Sequence, residues 1–137
     1  MPNPRVELPA ALAAALRAQA EQASPRECCG LLEGGRTEQG FTIQALHPVR
    51  NLSDDPDRFE IDPQGHIAAV KQARANGGSI VGCYHSHPRG AAQPSASDRA
   101  GACEDDFLWL IVAGETINAF VYSRGMFEGA DCVTSSA

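Results

Sequence analysis

The sequence predicts a single α/β domain in which a mixed β-sheet is flanked by helices. Helical and strand-like patterns alternate along the 137 residues, and no internal repeat or linker divides them. Hydrophobic residues make up 43% of the chain and charged residues 20%, as is usual for a folded globular domain. The apolar run FLWLIVA is typical of a strand covered on both faces of a sheet. Residues 1–137 are therefore interpreted as one domain.

The first half of the chain is expected to form a helix followed by a hairpin. Leu8, Leu12 and Leu16 recur at a spacing of four and are followed by a Ser-Pro pair, which predicts an amphipathic helix. The apolar runs ECCGLLEGG and FTIQALHPV predict a β-hairpin over residues 27–49. The polar, turn-rich RNLSDDPDRFEIDPQ predicts a long loop with one short extended element, RFEI.

The second half is expected to begin with a crossover connection. A proline in the first turn and a Gly-Gly stop predict a helix from about Pro63 to Asn76, and SIVGCYHS has strand composition. A short helix from about Ser95 to Glu104 should follow, and then FLWLIVA with INAFVYS as its hairpin partner. The last residues, 131–137, are expected to be a frayed tail.

Composition narrows the possible compartment and partners. No apolar run approaches the roughly 20 residues of a membrane span, and MPNPRVELPA lacks a secretory signal, so the sequence predicts a cytoplasmic protein without a membrane partner. The 11 basic and 17 acidic residues give a net charge of -6, and the basic residues do not cluster. Nucleic acid is therefore not an expected partner.

The cysteines do not predict a disulfide framework or a zinc knuckle, because their number is odd and no Cys-x-x-Cys occurs. The vicinal Cys28 and Cys29 are interpreted as strand residues that point to opposite faces, with one or both buried as small hydrophobes. Cys83 is expected to pack beneath the strand end at YHSHP rather than to bind metal.

Two histidines follow one another at alternate positions near the end of SIVGCYHS. Side chains in a strand repeat every two residues, so His85 and His87 should point to the same side, and Pro88 should end the strand. Neutral imidazoles projecting together are suited to zinc. A catalytic zinc site also needs a third protein ligand, for which Asp98 is the nearest carboxylate in sequence.

Asp98 also has an interpretation that involves no metal. In PSASD, Ser95 is a candidate N-cap and Asp98 its partner in a capping box, and on this segment alone the cap is favoured. The two interpretations are compatible, because a capped helix start is a rigid support for a ligand. His47 and His66 have no second ligand at a suitable spacing, and no role is predicted for them.

Two separate segments resemble the JAMM, or MPN+, family of zinc metalloproteases. HSHPRGAAQPSASD is similar to the metal-binding signature His-x-His-Pro, six residues, Ser, two residues, Asp. SPRECCGLLEG resembles the segment that carries the family's upstream glutamate, and it places Glu27 in that position. Taken alone, Glu27 would be an ordinary charge in a turn. The similarity continues through RN, RFEIDP and IVGCYHSHP, although relatives often have an aromatic residue where Cys83 stands.

The resemblance implies a fold similar to that of cytidine deaminases and a division of labour among five residues. One zinc ion per chain would be held by His85, His87 and Asp98. Glu27, on the strand of the predicted hairpin, would be the general base, and the hydroxyl of Ser95 would donate to the developing oxyanion. All five residues of the pattern are present.

The resemblance further implies hydrolysis of an amide bond at the C-terminus of a ubiquitin-like protein with a Gly-Gly tail. Small members of this kind resemble enzymes that act on sulfur-carrier proteins, such as those that release cysteine from the carrier. Strand addition of the tail would suit the region from Arg58 to Ile61. A deubiquitinase-like isopeptidase and a non-catalytic MPN scaffold are the alternatives. A zinc hydrolase of another kind, such as a deaminase, is a further alternative, but it would need His-x-Glu and Pro-Cys-x-x-Cys, and neither is present.

Overall fold

The structure, a computed structural model that describes residues 3–135, contains seven strands and three helices in that range. In chain order they are β1 (Arg5–Pro9), α1 (Ala10–Ala23), β2 (Cys29–Arg36), β3 (Gly40–Val49), α2 (Pro63–Ala75), β4 (Ser79–Ser86), α3 (Ala96–Gly101), β5 (Phe107–Ala113), β6 (Thr116–Ser123) and β7 (Met126–Ser135).

The strands form one closed sheet in the order β1-β3-β2-β4-β5-β6-β7, with β7 pairing back to β1. The β1–β3, β1–β7 and β4–β5 pairs are parallel, and the other four pairs are antiparallel. The predicted α/β class and mixed sheet are therefore confirmed. The expected flanked sheet needs one correction, because the sheet closes into a barrel.

The strand β1 was not expected, because its apolar residues were assigned to the first helix. Val6 and Leu8 are fully buried and alternate with exposed Arg5 and Glu7, which is the period of a strand rather than of a helix. The helix begins only after Pro9. The spacing of four that includes Leu8 therefore joins residues of two different elements.

The expectation of a frayed tail is wrong for residues 131–135. They belong to β7 and pair in parallel with β1, from Arg5 opposite Asp131 to Pro9 opposite Ser135. This pairing closes the sheet, so the strand gains its partner from the opposite end of the chain. Residues 136–137 lie outside the described range.

The other predicted elements are confirmed with small changes. β2 and β3 form the expected hairpin, and so do β5 and β6. The helix α2 ends as predicted, with Asn76 as its C-cap and Gly77 at a φ of 79°. The helix α3 ends at Gly101, three residues earlier than expected. In the long loop, a bridge between Asn51 and Ile61 corresponds to the short extended element.

The two faces of the sheet bury separate apolar clusters. One face packs on α1 through Ala13 and Leu16. The other packs on α2 through Ala69, which lies with Cys83 and Trp109 in the second cluster. No helix among the described residues 3–135 is long and apolar enough to cross a membrane.

The cysteines are packed as the sequence predicts. All five thiols are free. Cys29 and Cys83 are buried and Cys28 is half-buried. Burial raises the pKa of all three thiols, that of Cys29 to about 12. They are therefore protonated, unreactive packing groups at neutral pH.

A glycine fixes the distance between β4 and β5. Gly82 lies opposite Leu108 in the parallel pairing, and a Cβ at Gly82 would collide with the Leu108 carbonyl oxygen. The two strands can approach to hydrogen-bonding distance only because this side chain is absent.

We therefore expect Gly82→Ala to lower the free energy of unfolding by about 1–3 kcal/mol, as overpacking of a core does. Gly129→Ala in β7 is the matched control, because a Cβ at Gly129 has no neighbour within 4 Å. Denaturant unfolding of both variants measures the difference. Equal stability of the two would contradict the close approach at Gly82.

Candidate metal centre

The end of β4 carries both histidines of the motif. His85 lies in the strand and His87 directly after it, and their side chains are 0% and 8% exposed. They point to the same side, as predicted, with their Nε2 atoms 3.0 Å apart. Burial lowers the pKa of His85, which favours the neutral imidazole that a metal ligand requires.

Asp98 reaches the histidines from the first turn of α3. Ser95 is the N-cap, and its Oγ accepts a hydrogen bond from Asp98 N while Ser95 N donates to Asp98 Oδ2 at 2.9 Å. The same Oδ2 lies 3.0 Å from His85 Nε2 and 3.2 Å from His87 Nε2. Asp98 therefore completes the capping box and also faces both imidazoles.

Asp98 has the charge state that a metal ligand needs. Burial works against its ionised form, but the two adjacent imidazoles favour that form more strongly. The pKa of Asp98 consequently lies below its usual value, and the carboxylate is ionised at neutral pH.

Hydrogen bonding at the other ring nitrogen determines the tautomer of His87. Its Nδ1 lies 2.8 Å from the carbonyl oxygen of Ala91, and a carbonyl can only accept a hydrogen bond. A proton on Nδ1 leaves the Nε2 of neutral His87 with a lone pair and no hydrogen. This lone pair faces Asp98 Oδ2, so the contact is attractive when a metal ion lies between the two atoms or when a second proton makes the imidazole cationic.

The donor set fits zinc. Two imidazole nitrogens and one carboxylate oxygen converge within 3.2 Å of one another. Three nitrogen and oxygen ligands of this kind form the usual catalytic zinc site, whereas calcium and magnesium favour all-oxygen sites.

Glu27 supplies a second carboxylate beside the same histidines. One oxygen of Glu27 and one ring nitrogen from each of His85 and His87 lie within 4.8 Å of one another. Glu27 is 5% exposed, and its Oε1 has no hydrogen-bond partner among residues 3–135. The structure places Glu27 two residues before β2, not within the predicted strand.

The environment of Glu27 suits proton transfer. Burial raises the pKa of Glu27 to about 7, and the ionised Asp98 nearby also raises it, while His87 acts in the opposite direction. Both protonation states of Glu27 are therefore accessible at neutral pH, as a general acid–base group requires.

Asn51 is a residue whose role the sequence did not predict. Its Nδ2 donates to the carbonyl oxygens of Glu27, at 3.0 Å, and of Arg58, at 3.2 Å. Its Oδ1 accepts hydrogen bonds from the backbone of Ser53 and Glu60, both at 2.9 Å. Asn51 thus connects the long loop to the segment that carries Glu27. Its signals in the sequence are its place between a strand and a polar turn and the RN pair that forms part of the family resemblance.

Two aromatic side chains surround His85. Phe59 stacks on the imidazole with ring centroids 4.4 Å apart, and Trp109 meets it edge-on at 5.6 Å. These contacts restrict the ring and exclude water from one side of it. Phe59 comes from the extended element RFEI, so the long loop also forms a wall of the site.

A cavity of about 820 Å³ opens beside Asp98. Its floor is apolar and includes Leu31, Cys83 and Trp109, and its rim combines the 52–61 loop with α3. The exposed His66 lies on this rim, whereas His47 pairs with the buried Glu33 at 2.8 Å. Neither histidine joins the centre.

Comparisons with known proteins agree with this geometry. Residues 9–123 match the family of prokaryotic homologs of the JAB domain. A Haloferax volcanii protein named desampylase is 36% identical over 88 residues, which are 64% of this chain and 62% of that protein. A Thermus thermophilus protein named probable TtuB-protein conjugate cleaving protease is 32% identical over 119 residues, covering 86% of this chain and 76% of that protein.

The fold has close counterparts among solved structures. The solution structure of a Desulfitobacterium hafniense protein matches with a TM-score of 0.89 at 29% identity, covering 96% of this chain and 94% of that chain. The match to the Haloferax protein spans less than two-thirds of its length. The family match, in contrast, extends over most of this chain and includes every residue of the centre, from Glu27 to Asp98. The chain therefore belongs to the family of prokaryotic homologs of the JAB domain.

Proposed function

We propose that this chain is a zinc-dependent hydrolase that cleaves an amide bond at the C-terminus of a ubiquitin-like protein. The observation that carries the proposal is the convergence of His85 Nε2, His87 Nε2 and Asp98 Oδ2 within 3.2 Å of one another. A buried carboxylate with an unpartnered oxygen, that of Glu27, lies beside them. This combination supplies ligands and a base at one place.

His85, His87 and Asp98 would hold the metal, and Glu27 would remain outside its ligand set. Zinc in this position supplies Lewis-acid chemistry, activating water and polarising the scissile carbonyl. Asp98 is assigned as the ligand because its Oδ2 contacts both imidazoles, whereas Glu27 Oε1 has no hydrogen-bond partner in the described residues.

Glu27 would take a proton from the attacking water and return it to the leaving amine. Its pKa of about 7 suits both steps, because the group can accept and donate a proton near neutral pH. The Oγ of Ser95 accepts a hydrogen bond from Asp98 N, so its own hydrogen stays available to donate to an oxyanion.

The surroundings of the centre favour an extended tail with small side chains. His85 and Asp98 are 0% and 3% exposed, so a chain that reaches them must pass through a narrow opening, as Gly-Gly can. Each strand of the closed sheet already has two neighbours. The 58–61 segment beside the cavity is therefore the best place for a tail to add as a strand.

The family and the site together support the substrate class that we propose. The Thermus relative is named as a protease that cleaves a protein conjugate, in agreement with an amide or isopeptide bond. We favour a sulfur-carrier protein as the ubiquitin-like partner and a deubiquitinase-like isopeptidase as the alternative. A non-catalytic scaffold is disfavoured, because it would not need to retain both the three ligand atoms and Glu27.

The first prediction concerns metal binding. The wild-type protein should bind about one zinc ion per chain, and His87→Ala should weaken zinc binding by more than about 100-fold, since loss of a ligand costs more than loss of a supporting group. Metal analysis and competition with a chromophoric chelator measure both quantities. His66→Ala is the matched control, because His66 is an exposed histidine outside the centre. Equal zinc binding by His87→Ala and the control would refute the ligand assignment.

The second prediction concerns the base. Glu27→Gln should keep zinc and lower kcat by about 10²–10⁴-fold, the range for loss of general acid–base catalysis. The substrate is a Gly-Gly-ended carrier protein that bears cysteine in peptide linkage or lysine in isopeptide linkage, and intact mass reports its cleavage.

Comparison of the two adducts distinguishes a carrier peptidase from an isopeptidase. Wild-type enzyme treated with a chelator is the control for metal dependence. Full activity of Glu27→Gln with bound zinc would show that another group is the base.

A further inference from the structure

We infer that Ser86, the residue between the two histidines, is a positioning residue that holds Glu27 in place through the backbone of Cys28. The inference rests on the proposed function, because it assigns to Ser86 a part in the work of the general base. It adds a residue that does not contact the metal or the substrate.

Ser86 is joined to Cys28 by two hydrogen bonds. Its Oγ accepts from Cys28 N at 2.8 Å, and its own N donates to the Cys28 carbonyl at 3.1 Å. Ser86 is 1% exposed, so solvent does not supply a substitute for either bond. The Cys28 amide therefore depends on the serine hydroxyl.

This pair differs from a regular antiparallel pair. Cys29 lies opposite His85 in the β2–β4 ladder, so Cys28 and Ser86 are the next positions along. Opposite residues in a regular ladder can exchange two bonds between backbone groups. Here the Ser86 hydroxyl, rather than the Ser86 backbone carbonyl, accepts the hydrogen bond from Cys28 N. The chain thus leaves the ladder at Cys28 while remaining attached to β4.

The consequence is the position of Glu27. Glu27, the residue directly before Cys28, lies outside the ladder. One of its carboxylate oxygens lies within 4.8 Å of a ring nitrogen of His85 and of His87. Asn51 holds the Glu27 carbonyl from the side of the loop, so Ser86 and Asn51 hold two successive residues from opposite sides.

Ser86 acts through Glu27 and not through the metal. Side chains alternate along a strand, so the hydroxyl of Ser86 points away from the side on which His85 and His87 converge. The two imidazoles have other supports: His85 is held by its pairing with β2 and β5, and His87 by bonds from its N to Val112 O and between its Nδ1 and Ala91 O. Loss of the Ser86 hydroxyl should therefore displace Glu27, while the proposed ligands His85, His87 and Asp98 should stay in place.

The test compares Ser86→Ala with Ser86→Thr. We expect Ser86→Ala to lower kcat by about 10–100-fold, because a displacement of about 1 Å at a reacting group costs up to about 10²-fold. KM and zinc affinity should stay within about twofold of wild type. Ser86→Thr retains a hydroxyl on the same carbon and should recover most of kcat.

A matched control and a second measurement separate this role from a general effect on folding. Ser79→Ala removes a hydroxyl from the opposite end of β4 and should leave kcat unchanged. Amide hydrogen exchange of the metal-free protein measures the bond itself, and Ser86→Ala should accelerate exchange of the Cys28 amide by at least about tenfold. Ser79→Ala should not change the exchange rate of the Cys28 amide.

The outcomes distinguish the inference from the function on which it rests. If the wild type cleaves the adducts and Ser86→Ala matches Ser79→Ala in kcat, the inference is wrong. It is also wrong if Ser86→Ala loses zinc in proportion to activity, or if the Cys28 amide exchanges at the wild-type rate. If the wild type cleaves neither adduct, the proposed function fails, and amide exchange alone still decides whether Ser86 holds Cys28.

Discussion

The structure depends on holding two imidazole nitrogens and one carboxylate oxygen together at a buried site. His85 Nε2, His87 Nε2 and Asp98 Oδ2 lie 3.0–3.2 Å apart and are almost fully buried. Bringing such groups together costs free energy unless a cation neutralises them. The rest of the scaffold offsets that cost by holding the three groups in place. The β4 ladders, the capped start of α3 and the aromatic rings around His85 are the parts of the fold that do so.

The spacing of the histidine–aspartate motif follows from secondary structure, which is why it could be predicted from sequence. His-x-His is one period of a strand, so both imidazoles project from the same side of β4. Ser-x-x-Asp is the distance from an N-cap to the third residue of a helix, and Ser95 and Asp98 form that capping box. One Asp98 oxygen binds the cap amide and faces the histidines, so the cap and ligand interpretations describe the same atom.

The parts of the fold that sequence could not provide depend on contacts between distant residues. The parallel pairing of β1 with β7 joins the two ends of the described chain, and the local sequence of neither strand indicates its partner. The position of Glu27 was found by resemblance to a family. The physical cause of that position, the Ser86–Cys28 connection, spans 58 residues and appears only when β2 and β4 are paired.

The closed sheet also explains how the proposed base and the proposed ligands come from separate segments. A carboxylate that has to stay outside the metal's ligand set must be held as firmly as the ligands, at a slightly greater distance. A helix that carried both would fix their separation by its own period. Here the end of β4 positions two of the proposed ligands, while the segment before its neighbour β2 carries Glu27, and the two are joined edge to edge by Ser86. The separation between Glu27 and the proposed ligands is thus set at the end of the β2–β4 ladder. The Ser86 hydroxyl can determine that separation.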